Sequence, residues 1–137
     1  MSLKSKKILL DNVFSQFIRL RDTDENGYAK CISCGYTKYY DDLDNGHFIN
    51  RKHMSLRYNE TNCNAQCHNC NRFDESNFLG YLRGIKKKYG ENIAEQLEVC
   101  KYQTMHFTEF ELTELIKYYR AENKRLLKDK NFTINLK

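Results

Sequence analysis

The chain has 137 residues, with 23 Lys plus Arg against 18 Asp plus Glu, for a net charge of +5. That length suits one domain and leaves no room for a second core of ordinary size. A composition of 40% hydrophobic and 30% charged residues excludes a disordered chain, and no apolar run approaches the roughly 20 residues of a bilayer span, so an integral membrane protein is also excluded.

Leu3, Leu10, Phe14, Phe17 and Ile18 recur at helical spacing and predict an amphipathic N-terminal helix within residues 1–22. Its first residues are basic and apolar, but Asp11 breaks the run and no small-residue cleavage site follows. The expectation is therefore no signal peptide and a reducing, cytoplasmic compartment. Asn26-Gly27 favours a turn. Residues 28–80 are dense in Cys, His, Asn and Tyr, with only short apolar runs such as Phe48-Ile49. That segment buries too little apolar surface to hold itself together.

Helical patterning returns with Phe78, Leu79, Leu82, Ile85 and Tyr89, and Gly90 reads as a C-cap. A short helix is expected at 92–100. Thr108 and Glu111 then form a predicted capping box that opens a helix carrying Phe110, Leu112, Leu115, Ile116 and Tyr119. Residues 81–137 are thus a helical part with a basic end. Residues 115–137 hold seven basic and two acidic side chains, equal to the whole net charge. A solvated tail and a phosphate-gripping helix are both open readings of this end.

Four of the six cysteines form two Cys-x-x-Cys pairs, Cys31/Cys34 and Cys67/Cys70. Two such knuckles bring four thiolates to one tetrahedral Zn²⁺, and Gly35 permits the tight turn. With all four positions filled by protein, the ion is structural and supplies folding energy. Cys63 and Cys100 are left over as packing residues, and His68 as a bystander between the second pair.

Between the knuckles, residues 47–57 contain His47, Arg51, Lys52, His53 and Arg57 and no acid; Asn62 and Asn71 follow. Phosphodiester hydrolysis needs a base for water, a divalent ion for the charge on the leaving oxygen, and cations to align the phosphate. His47 titrates in the right range to be the base. Asp44 and Asn71 offer oxygen to Mg²⁺ or Mn²⁺, and Arg51, Lys52 and Arg57 offer phosphate contacts, although composition alone does not demand this chemistry. For Arg57 a salt bridge to Glu60 is the structural alternative.

The run Asn62-x4-Cys67-x2-Cys70-Asn71, with His47 fifteen residues upstream, resembles the zinc-knuckled HNH (His-Me finger) nucleases. Together with Asp44-x-Gly46-His47-Phe48, Arg51-x-His53-Met54, Arg57, Gln66 and Asn77, it resembles more narrowly the NinG/Rap family of bacteriophage recombination proteins. The resemblance covers roughly residues 28–80. It implies an α+β fold with a ββα-metal core, flanked by N- and C-terminal helices. It also implies His47 as general base on or just before the first strand, Asn62 as orienting residue and Asn71 as metal ligand at the helix start. His53 and Asn77 match the pattern as well, His53 beside the phosphate and Asn77 at a helix cap or a substrate contact.

One position departs from the HNH pattern, in which an Asp or His directly precedes the base as first metal ligand; here it is Gly46. The nearest acid, Asp44, lies three residues before His47, and residues three apart on a strand face opposite ways. Asp44 is therefore expected in a preceding loop or turn, with Asp41 and Asp42 as substitutes. The resulting expectation is a metal-dependent endonuclease on branched or recombining DNA, phage or prophage encoded and active in the bacterial cytosol. The alternative is a zinc-stabilised junction-binding accessory that does not cut. A homodimer through the apolar face of the last helix is a further expectation.

Overall fold

The computed structural model describes residues 1–137, the side chain of Ser76 excepted. Helix α1 spans Leu3–Asp22; Ser2 caps its start by accepting from the Ser5 N–H at 3.1 Å. A first hairpin pairs β1 (Tyr28–Lys30) with β2 (Thr37–Tyr39), antiparallel. The first Cys-x-x-Cys knuckle joins them, closed by Gly35 N–H donating to the Cys31 carbonyl at 2.9 Å. Gly35 has φ +79°, the left-handed backbone that this turn requires.

The second hairpin pairs β3 (Leu43–His47) with β4 (Cys63–Cys67), antiparallel, with His47 opposite Cys63 and Asp44 opposite Gln66. The connection between them holds the short helix α2, Met54–Arg57. After β4 come a π-helical turn over Asn69–Phe73 and a 3₁₀ turn over Glu75–Asn77. Helices α3 (Phe78–Tyr89), α4 (Ile93–Lys101) and α5 (Glu109–Lys128) complete the chain. Gly90 caps α3, and α5 opens on the complete Thr108–Glu111 capping box, both as the residue pattern predicts. The fold is mixed α and β, with two small antiparallel sheets.

Packing follows the amphipathic patterns, with two differences. Leu10, Val13, Phe14, Phe17 and Ile18 of α1 bury against Leu112, Ile116 and Tyr119 of α5. Burial of each large apolar side chain stabilises by roughly 1.5–3 kcal/mol. Leu112, Ile116 and Tyr119 of the last helix, whose apolar face is expected as a dimer surface, are thus buried within the chain. Part of the basic end is consumed too: Lys130 Nζ donates to the Thr23 carbonyl at 2.7 Å, at the C-terminus of α1. A second core joins Leu56, Tyr81, Ile85, Ile93 and Leu97. Leu3, Phe78, Leu79, Tyr89 and Phe110, which belong to the predicted apolar stripes, are exposed. On α3, glycine takes part of the packing role: Gly80 and Gly84 lie directly against the Ser33 and Ile32 carbonyls of the knuckle, where a Cβ has no room.

Candidate active site and metal centre

The sulfurs of Cys31, Cys34, Cys67 and Cys70 lie within 4.8 Å of one another, a set that could hold a zinc ion. Backbone N–H groups of Ser33 (3.4 Å), Cys34 (3.5 Å) and Cys67 (3.3 Å) point at the Cys31 sulfur. Such donors favour thiolate over thiol. Asn77 donates from Nδ2 to the Cys70 sulfur at 3.5 Å and accepts the Gly80 N–H at 3.2 Å. It thus caps α3 and ties the cap to the cluster, leaving it a structural role. Cys63 is fully buried against the α1–α5 core, and burial raises its thiol pKa. His68 stands apart from the sulfurs, with Nε2 3.3 Å from Asp44.

His47 ends β3, half-buried, with Nε2 3.0 Å from the Arg57 carbonyl oxygen. A carbonyl only accepts, so the neutral ring carries its proton on Nε2 and keeps its lone pair on Nδ1. Burial holds the His47 pKa below the ordinary 6.5, and the neighbouring Arg51 and Arg57 charges add to the depression. The Arg57 carbonyl and Asp11 oppose it. The ring is therefore neutral at pH 7.

A cavity of about 500 Å³ borders His47, Asp44, Asn71, Arg51, Arg57 and Asp11. Asn71 Nδ2 donates to Asp44 Oδ2 at 3.0 Å, and Arg72 grips both Asp44 oxygens, at 2.8 and 3.0 Å. Asp44 lies within strand β3, not in a loop before it. Asp44 and His47 nevertheless border the same cavity. Asp41 and Asp42 are exposed in a 3₁₀ turn and do not border it. Asn71 sits in the π-helical turn, seven residues ahead of α3, rather than at the start of that helix.

Gly46 has a steric cause. A Cβ there would overlap the fully buried Gln66 side chain, which donates to the Ser33 hydroxyl at 2.9 Å and so links the hairpin to the knuckle. No carboxylate fits directly before His47 without losing that link.

The remaining predicted residues divide. Arg51 borders the cavity with 60% of its side chain exposed. Arg57 also borders it, but its guanidinium binds Asp11 of α1, with Nε donating to Oδ1 at 2.8 Å and Nη2 to Oδ2. Glu60, its alternative partner, instead accepts from the Tyr119 hydroxyl at 2.9 Å. Lys52 and His53 border a different cavity, beside Phe48 and Phe78. Asn62 is fully buried, and among the described residues it makes no hydrogen bond to the His47 ring. Its amide accepts the Ile49 N–H at 2.9 Å and donates to the Ile49 and Leu56 carbonyls at 2.9 and 3.2 Å. It therefore orients the connection that carries the Arg57 carbonyl, and through that connection the ring.

Asp11, Asn45 and Arg72, whose grip on Asp44 is given above, escaped sequence reasoning at this site. Asp11 looks like an ordinary polar position on α1, and only the packing of α1 beside the hairpin brings it to Arg57 and Arg51. Asn45 borders the cavity with a buried Oδ1 that has no hydrogen-bond partner among the described residues. A buried orphan acceptor costs about 1–3 kcal/mol unless a water or an ion meets it.

A family model described as Bacteriophage Lambda NinG protein matches residues 2–129. The chain belongs to the NinG family. It is 32% identical over 114 residues to Protein ninG of Escherichia phage lambda, which covers 82% of this chain and 51% of that protein. This NinG-family chain thus spans about half the length of that relative. No solved structure matches it. The NinG match includes both knuckles, His47, Asn62, Asn71 and the two long helices. Among the described residues no helix is long and apolar enough to cross a membrane.

Proposed function

We propose that this protein is a metal-dependent DNA endonuclease of the HNH type, acting on branched or recombining DNA during phage recombination, with Zn²⁺ on its four cysteines. The supporting observation is the His47 ring, neutral and pinned through Nε2 to a backbone carbonyl, in one cavity with Asp44, Asn71 and Arg51. Asp44 and Asn71, joined by the Asn71 Nδ2–Asp44 Oδ2 hydrogen bond, are the side chains that would offer oxygen to a hard cation. Mg²⁺ or Mn²⁺ at that set would stabilise charge on the leaving oxygen. With a single carboxylate, the set relies on substrate phosphate to complete it, as is usual for Mg²⁺.

His47 Nδ1 takes a proton from water as the water attacks the phosphorus; the P–O bond to the leaving oxygen breaks, and that oxygen takes a proton from solvent. The Arg57 carbonyl keeps the ring in the tautomer that leaves Nδ1 free and stabilises the imidazolium that forms. Asn62 keeps that carbonyl in place. Arg51, exposed at the rim, contacts a phosphate oxygen, while Arg57, held by Asp11, adds positive field from a fixed position.

One observation favours a second reading, a junction-binding accessory without cleavage: Arg72 already occupies both oxygens of Asp44, where a cation would bind. The test compares wild type with His47→Ala on labelled four-way junction and linear duplex DNA, with Mg²⁺ and then Mn²⁺, after zinc content has been matched. Cutting by wild type and not by His47→Ala is the expected result. Junction binding by both proteins with no cutting under either metal would replace the nuclease by the binding reading.

A further inference from the structure

A second cavity, of about 840 Å³, lies between the C-terminal end of α1, the first knuckle and α3, and shares no bordering residue with the His47 cavity. Its charge is one-sided. Arg21, Lys30, Arg83, Lys87 and Lys88 border it against a single acid, Asp22. That acid is already engaged: Arg21 Nε lies 2.8 Å from it and Lys88 Nζ 3.2 Å, and the Ala65 N–H donates to it at 2.8 Å. Lys88 and Arg21 are further tied to the Asn64 amide oxygen, at 2.7 and 3.3 Å. Those two cations belong to the framework.

Lys30, Arg83 and Lys87 differ. All three are exposed at the cavity and have no ion pair or hydrogen bond among the described residues. They come from two separate segments, β1 and α3, which the Gly80 and Gly84 contacts hold together. A divalent ion on four thiolates would bring two negative charges close to Cys31 and Cys34, and the cavity would remain positive. No aromatic ring borders it, so nothing there would stack on a base. Unpaired cations around an open cavity without a stacking surface match the repeating charge of a nucleic-acid backbone.

We propose that this cavity is a second phosphate-binding surface for DNA, at which Lys30, Arg83 and Lys87 hold backbone phosphates away from the bond engaged at His47. The inference rests on the DNA reading given above and names a contact beyond the cleavage site. Helix α1 provides the scale. Asp11 borders the first cavity and Arg21 the second, and ten helical residues span about 15 Å. That distance corresponds to roughly four or five phosphates along one strand at about 3.4 Å each. DNA that reaches both cavities therefore extends several nucleotides past the cut, or presents a neighbouring arm.

The test measures binding of four-way junction and linear duplex DNA from about 50 to 200 mM salt, without divalent metal, so that cutting plays no part. The proteins are wild type, Arg83→Gln, the triple variant Lys30→Gln/Arg83→Gln/Lys87→Gln, and a control of equal charge, Lys117→Gln/Lys124→Gln/Lys128→Gln on exposed positions of α5. Removing one cation that neutralises a phosphate reduces the slope of log affinity against log salt by about 0.9. The expected slope is smaller by about 1 for Arg83→Gln and by about 2 to 3 for the triple variant, and larger than the triple variant's for the control. Circular dichroism and zinc content should match wild type, since the three side chains hold nothing in the fold. An unchanged slope in the triple variant, or an equal drop in the control, overturns the second surface even if wild type cuts DNA. A selective slope change in a protein that never cuts keeps the surface and removes the nuclease. Wild type that binds neither DNA overturns both.

Discussion

Gly84→Ala is the substitution for which local propensity and tertiary packing predict opposite signs. In an exposed helix interior, replacing Gly by Ala gains about 1 kcal/mol. Gly84, however, faces the Ile32 carbonyl of the first knuckle, and an added Cβ would fall well inside 3.0 Å of that oxygen. The obstacle is backbone, held in place by the Ile32 N–H donating to the Ala65 carbonyl at 2.9 Å. It cannot rotate away as a side chain would, so helix and knuckle must separate by about 1 Å or more. Separation would also loosen the Gly80 contact with Ser33 and the packing of Tyr81 and Ile85 on the same helix. Overpacking of this kind costs about 1–3 kcal/mol, and a backbone obstacle belongs at the upper end. After the propensity gain is subtracted, the variant should lose about 1–2 kcal/mol. With a urea slope near 1.5 kcal/mol/M, the midpoint falls by about 1 M. The assay is urea unfolding of zinc-loaded protein, with metal content measured beside it because Ile32 lies between Cys31 and Cys34. A midpoint at or above wild type would show that the helix does not rest on the knuckle as described.

Asn62→Ala should lower stability by about 2–3 kcal/mol, because it leaves the buried Ile49 and Leu56 backbone groups without their partner; a thermal-melt loss below about 1 kcal/mol would contradict this. Removal of zinc by a strong chelator should unfold residues 28–80 before the α1–α5 pair, seen as loss of amide protection in the two hairpins while α1 stays protected; unchanged protection in the hairpins would argue that the cysteines are not the staple. Burial holds the His47 pKa below 6.5, so at pH 6.5 the neutral ring, the form the proposed base role needs, already predominates. Cleavage should therefore persist as pH falls through 6.5 and fail only below it, and Arg51→Gln should move that acid limb upward by removing a neighbouring positive charge. An acid limb at or above pH 6.5 in wild type would refute the assignment.

What could be read from the sequence was what local chemistry determines. The 3.6-residue recurrence in residues 3–18, the Thr108–Glu111 capping box and Gly90 marked helices and their ends, because these signals act within a few residues. The two Cys-x-x-Cys pairs marked the cysteine cluster, because each knuckle is local and four sulfurs share one chemical purpose. Hydrophobic spacing could not say what each apolar stripe would meet. Phe78, Leu79 and Phe110 fit the spacing and are exposed, while Gly80 and Gly84 do not fit it and form the contact with the knuckle.

Around His47, the sequence supplied residue types and their order, and tertiary structure assigned their partners. Asp11 reaches Arg57 across 46 residues, and Arg72 reaches Asp44 across 28. Neither separation carries a local signal, since each depends on how α1 and the π-helical turn pack on the hairpin. Even Gly46, a puzzle in the sequence, has its cause on the neighbouring strand, where the buried Gln66 takes the space that a side chain before His47 would need. Short-range rules act through the backbone's own geometry, whereas the charges and surfaces of a site are brought together by packing, whose free energy is shared over the whole chain.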